Sequence, residues 1–289
     1  MNSFFSALFN PAFPFLQNAL MASLLASILF GILGSVVTVK RIAGLAGAIS
    51  HAVLGGIGMA LFFSSSGIVP FITPMAGAIL FAVLSALIIG MVSVKAKQRE
   101  DTVINAIWAI GMSLGVLFLA KTPGYRDPTS YLFGNILLVS REDLMLLAIL
   151  DTVVLILVWR FYPQLEASAF DEEFARVRGV PTNMLFFIIL GITAIAVVLL
   201  QTFVGIVMVI AMLTLPAGTA GYLAKNLAGM MILSWIFSSI FSFFGLALSW
   251  HYDLPSGAVV VVLSGAVFLM GTGLRLIIVR YAKKRGLSS

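Results

Sequence analysis

An all-α bundle of membrane-spanning helices is the fold class this sequence predicts, and three observations carry the prediction. Hydrophobic residues make up 61% of the chain and charged residues only 10%, with a mean hydropathy of +1.13. A soluble chain of 289 residues would need far more charge to cover its surface. Apolar runs longer than about 18 residues recur from end to end, which is the length a helix needs to cross a bilayer. These runs, "MLFFIILGITAIAVVLL" among them, do not alternate apolar and polar positions as ~10-residue barrel strands do.

Charges and Gly/Pro clusters divide the chain into nine candidate spans, at about 16–39, 46–64, 70–94, 102–120, 142–159, 183–200, 204–224, 229–249 and 256–279. Residues 1–289 form one transmembrane domain on this reading. The two segments flanking Gln201 are short, so a broken or partly re-entrant pair, leaving eight spans, is the alternative there. The first twenty residues lack the basic start and small-residue cleavage site of a signal peptide. With no cysteine, disulfides and thiolate metal sites are excluded.

The net charge of +6 has two readings, nucleic-acid binding or basic cytoplasmic loops. Of the 17 Lys and Arg residues, all but Lys121, Arg126 and Arg141 fall on one set of loops and ends. That asymmetry marks the basic set as cytoplasmic and removes the need for nucleic acid. The N-terminus is then outside and the C-terminal "RYAKKRGLSS" inside.

Two loops exceed simple turns. The outer one, 121–143, mixes turn residues with aromatic and apolar ones, as an interfacial segment does. The inner one predicts a short helix over about 168–180. Ser168 is placed to cap it, Asp171, Glu172 and Glu173 lie at its start, and Arg176 and Arg178 lie near its end. Gly179 and Pro181 stop it. Phe170, Phe174 and Val177 recur at i, i+4 and i+7 and give it one apolar stripe. Such a helix lies on lipid or docks into a partner, and its acidic first turn opposes anionic lipid.

No catalytic constellation is present: H-E-x-x-H, G-x-S-x-G and the P-loop are all missing, so neither enzymatic activity nor nucleotide hydrolysis by this chain is expected. Polar groups at membrane depth are the better guide, because burying them costs free energy. His51 lies ten residues past Arg41, up to ~15 Å into a ~30 Å hydrocarbon core. An imidazole there serves as a helix-packing hydrogen bonder, a transition-metal ligand or a proton relay. Its neighbour Ser50 points in a different direction. Gly55 and Gly56 admit a close helix, and so do Gly111 and Gly115, a G-x-x-x-G pair. Asp151 lies mid-span with no nameable partner, and Gln201 offers an amide oxygen at the sixth–seventh junction. His251 and Asp253 sit in a loop, either sharing a metal ion or forming an ordinary solvated turn.

Five blocks then occur in order: "KRIAGLAGAISHAVLGG", "SYLFGNILLVSREDL", "FDEEFARVRGV", "FVGIVMVIAMLTLPAGTAGYLA" and "YDLPSGAVVVVL". Together, over about 14–280, they resemble the ABC-3 family of permeases, the membrane subunits of zinc, manganese and iron uptake systems. The resemblance implies a type II importer architecture in a bacterial cytoplasmic membrane. Two permease subunits, identical or not, would flank one path, with two separate ATPase subunits below and an extracytoplasmic metal-binding protein above. No cofactor would be held permanently; the metal ion is cargo and ATP is used by the partner. The 168–180 helix corresponds to the ATPase-coupling region, and Pro216, with the glycines, to helix packing.

The resemblance also carries a discrepancy. Family members place an Asp four residues before the histidine, as D-x-x-S-H, where an i, i+4 pair shares a helix face and a divalent ion. Here that position is Gly47. His51 is expected to line the path, with the carboxylate supplied by a non-identical second permease or, less directly, by Asp151. Zinc and manganese are left level, with iron behind. The alternatives are a permease for a chelate (siderophore, haem or cobalamin) and an ion-coupled carrier using Asp151 and His51 as proton sites.

Overall fold

The computed structural model describes residues 4–95, 100–123, 134, 136 and 139–284, and among them eleven helices and no strand. In chain order these are α1 Phe4–Leu8, α2 Pro14–Val39, α3 Ala43–Ser65, α4 Pro74–Lys95, α5 Glu100–Lys121 and α6 Arg141–Phe170. They continue with α7 Glu172–Val177, α8 Thr182–Val204, α9 Ile206–Ala220, α10 Leu227–Tyr252 and α11 Ser256–Lys284. The outer segment read as interfacial lies mostly outside the described residues.

Eight of these helices are long and apolar enough to cross a membrane, one fewer than the nine candidate spans. The difference falls at Gln201. Helix α8 ends at Val204, and Gly205 adopts φ 81° and ψ 161°, a conformation that breaks the hydrogen-bond ladder and that a side chain would resist. Helix α9 has only 15 residues, or about 22 Å, too short to cross the hydrocarbon core by itself. The fifth span is also longer than the 142–159 expected from hydropathy. Helix α6 opens on a capping box at Ser140 and Asp143, passes through Pro163 and runs 30 residues to Phe170. Its last turns extend well beyond the apolar run that marked the span.

Helices α2 and α3 are the most enclosed, and small residues explain how neighbours reach them. A Cβ on Gly31 would lie 2.7 Å from the backbone nitrogen of Trp235 on α10, and one on Gly34 would lie 2.6 Å from the carbonyl oxygen of Leu213 on α9. Ser23, Ser27 and Ser35 are buried in α2, and each hydroxyl donates to the carbonyl four residues back, so these three serines are satisfied within the helix. Helix α6 packs on α2 and α8, while α11 packs on α9 and α10. Helix α3 is held between α4 and α5, with α8 behind.

Candidate functional site

The glycines of "GLAGAISHAVLGGIG" form the frame of the site. A Cβ on Gly55 would lie 2.7 Å from the carbonyl oxygen of Gly111, and one on Gly58 would lie 2.6 Å from that of Gly115. On its other side, Gly56 meets the backbone of Gly77 on α4. Any side chain at these points would strike backbone, so α3 and α5 approach as closely as two helices can.

That approach fixes His51. Its ring stacks on Trp108 of α5, with centroids 4.9 Å apart and planes 24° from parallel. The imidazole is half-buried, and its Nδ1 is buried with no hydrogen-bond partner. Trp108 itself is 46% exposed, so the pair stands at the edge of the bundle rather than inside it. One turn earlier, a Cβ built on Gly47 would meet nothing within 4 Å. The position at i−4 from His51 is therefore open space, and Gly47, expected with the packing glycines, admits no close helix. Ser50 is fully buried, and its hydroxyl donates to the carbonyl of Ala46 at 2.9 Å, so its proton is used inside the helix.

The other polar residues lie apart from this pair. Gln201 is buried on the last turn of α8, with Oε1 unpartnered. With Thr202, Ile57, Thr73 and Met75 it lines a cavity of about 330 Å³ between α3, α4 and α8. Asp151 is 3% exposed on α6, and neither carboxyl oxygen has a partner. Its helix leans on α2 and α8, whereas His51 faces α5. His251 and Asp253 end α10 in an exposed turn, where Asp253 takes the left-handed conformation of a C-cap and the His251 ring contacts Tyr252 edge-on. Pro216 is buried within α9. Among the described residues no group of three His, Asp or Glu side chains could hold a metal ion.

The short helix α7 differs from its sequence reading in its cap and in its extent. Ser168 is not its cap: it lies inside α6, buried, with its hydroxyl donating to Leu165. The cap is Asp171, whose backbone turns extended between α6 and α7 and whose carboxylate accepts from the Phe174 N–H at 2.9 Å. Ala175 is fully buried against the bundle, while Phe170, Phe174 and Val177 are exposed. Arg178 lies over the Phe174 ring at 5.1 Å, and Glu173 faces solvent. Gly179, at φ 83°, ends the element. Phe170 closes α6 before the extended Asp171, so the expected stripe is split between two helices and α7 itself shows only Phe174 and Val177 to the outside.

The described geometry places an unfilled imidazole beside an open turn, on a helix held by glycines, and a projecting helix at one end. The model of the ABC 3 transport family matches residues 12–274. The chain belongs to that family. A protein named "probable metal transport system membrane protein" from Chlamydia trachomatis is 36% identical over 256 residues, covering 88% of this chain and 87% of that protein. The "manganese transport system membrane protein MntC" of Halalkalibacterium halodurans is 34% identical over 261 residues, covering 90% and 87%. The structure of PsaBC from Streptococcus pneumoniae in complex with Fab matches with a TM-score of 0.80 at 29% identity, covering 93% of this chain and 94% of that one. The fold of this ABC 3 member is thus that of an ABC permease, as its sequence led one to expect.

Trp108 is the residue that sequence reasoning missed. It lies in the apolar run "NAIWAIGMSLG", and only the α3–α5 crossing brings its ring to His51.

Proposed function

We propose that this chain is the membrane-spanning subunit of an ATP-driven importer that carries a divalent transition-metal ion into a bacterial cytoplasm. Mn²⁺ is the first candidate, Zn²⁺ the second and Fe²⁺ the third. The observation that carries the reading is the His51 site: a mid-span imidazole with an unpartnered Nδ1, next to an open turn at Gly47. Manganese leads because relatives at about a third identity carry that metal in their names. Imidazole and carboxylate donors suit such ions, and a transport site needs few ligands so that release stays fast.

In this reading His51 lines the path, and the carboxylate absent at Gly47 comes from a second, non-identical permease. Gln201 lies on the outer cavity and offers its amide oxygen to a passing ion. The exposed stripe of Phe170, Phe174 and Val177 docks on a separate ATPase, and Asp171 fixes the angle at which it does so. Closure of the ATPase pair then pushes α7 and tilts the spans. The basic loops support an orientation with the α7 side in the cytoplasm and the N-terminus outside, where a metal-binding protein delivers the ion.

Reconstitution with the cognate ATPase in vesicles tests this. ATP-dependent uptake of Mn²⁺, lost in His51→Ala and uncoupled from ATP in Val177→Asp, is expected. Uptake driven by a proton gradient without ATP would overturn it.

A further inference from the structure

Behind α7, on the side away from its exposed stripe, the structure holds a polar cavity of about 400 Å³. Lys40 and Arg41 from the α2–α3 turn, Glu172 and Arg176 from α7, and Asn183 at the start of α8 meet there. Val39, Val94 and Phe186 supply an apolar wall on the membrane side. We propose that this cavity binds a phosphate-bearing anion, from an anionic phospholipid headgroup or a water-soluble phosphate, and that the anion ties α7 to the ends of α2 and α8.

The charge balance is the first argument. Three cations face one carboxylate, and Glu172 is already bonded to Arg176 at 3.0 Å, the only ion pair among the described residues. Arg176 also reaches the Thr182 hydroxyl at 3.4 Å. Among the described residues Lys40 and Arg41 have no carboxylate within ion-pair distance. The Lys40 ammonium donates to the carbonyl of Ser168, at 3.3 Å. Burial holds its pKa below the usual lysine value, an effect that attraction to Glu172 opposes and does not cancel. Three cations sharing one carboxylate in a partly desolvated cavity make a site that an anion completes.

The backbone gives two further arguments. Arg41 sits at φ 59°, in the left-handed region where a glycine would be unstrained, so the turn presents an arginine at a conformational cost. Helix α8 begins at a Pro181 cap that offers no side-chain acceptor; the Thr182 N–H is bonded to the Val180 carbonyl, and the N–H groups of Asn183 and Met184, which follow it, favour negative charge. Basic pockets between helices at the cytoplasmic rim take phospholipid headgroups in this way, and the apolar wall suits an acyl chain. Phosphate suits the donor set because Lys and Arg both bind it through charge-assisted hydrogen bonds. Binding stands apart from the transport reading; only its consequence, a coupling helix stiffened against the bundle, rests on that reading.

The test is thermal unfolding of the full chain in detergent at constant ionic strength. Phosphatidylglycerol is titrated against phosphatidylcholine as the zwitterionic control, and inorganic phosphate is titrated in parallel. Wild type is expected to gain stability with phosphatidylglycerol or phosphate and not with phosphatidylcholine. Lys40→Gln and Arg41→Gly should each need about tenfold more ligand for the same rise. Arg41→Gly relieves the turn, so its ligand-free midpoint should match or exceed wild type and separates lost binding from lost folding. A response to phosphatidylglycerol alone assigns the lipid, and an equal response to inorganic phosphate assigns the soluble ion; both uphold the site. No rise with either, or unchanged titrations in both variants, overturns it. So does a rise produced only by an acidic peptide, which would make the cavity a protein-docking site.

Discussion

Substituting Gly47→Asp would restore the ligand pair that the ABC 3 resemblance implies and this chain lacks. The structure permits it: a Cβ at residue 47 meets nothing within 4 Å, and the backbone there is ordinary helix. Helix propensity even favours the change, by a few tenths of a kcal/mol. The new carboxylate would lie one turn from the His51 ring, on the same face. A charged ligand of this kind contributes about 1.5–3 kcal/mol to a bound cation. Affinity for Mn²⁺ should therefore rise about ten- to hundredfold. Equilibrium titration of the purified chain, with free Mn²⁺ followed by its paramagnetic resonance, reads this directly. Pairing the substitution with His51→Ala should remove the gain, because both donors are needed. A folded Gly47→Asp protein with wild-type affinity, or one whose gain survives His51→Ala, would refute the placement of the ion.

Three other outcomes are expected. Gly58→Val should destabilise the chain by about 1–3 kcal/mol, seen as a lower unfolding midpoint in detergent, since its Cβ would strike the Gly115 carbonyl at 2.6 Å and backbone cannot yield; an unchanged midpoint would mean the helices separate freely. Asp151→Asn keeps the shape and removes the ionisable group, and it should leave both uptake and stability unaltered, because no donor meets the carboxyl; loss of uptake in a folded protein would make Asp151 a cation or proton site. Lys40 has a folded-state pKa lowered by burial, so the unfolded chain binds more protons between that value and 10.5, and stability should rise with pH across that window. Lys40→Met should flatten the rise in a pH series of unfolding midpoints measured without added anion.

The transmembrane class, most span positions and the apolar pair Phe174 and Val177 of α7 were legible in the sequence, because hydropathy and helical periodicity are properties of neighbouring residues. So was the depth of His51 within its span, which does not depend on which helix faces it. The break at Gly205 was legible only as a suspicion around Gln201, since glycine permits a positive φ without requiring it. Ser168 looked like a cap because its residue type suits one; the continuation of α6 through Pro163 moved that role to Asp171.

What the tertiary structure alone decided is which distant segments meet. The crossing of α3 and α5, set by backbone contact at Gly55 and Gly58, puts Trp108 on His51 and leaves Gly47 facing open space. The fold gathers Lys40 and Arg41 from the α2–α3 turn, Arg176 from α7 and Asn183 from the start of α8 into one basic cavity. A sequence pattern fixes which face of each helix is apolar and how deep each residue lies. It does not fix the rotation and depth at which two helices interlock, because those depend on side chains more than fifty residues apart fitting together.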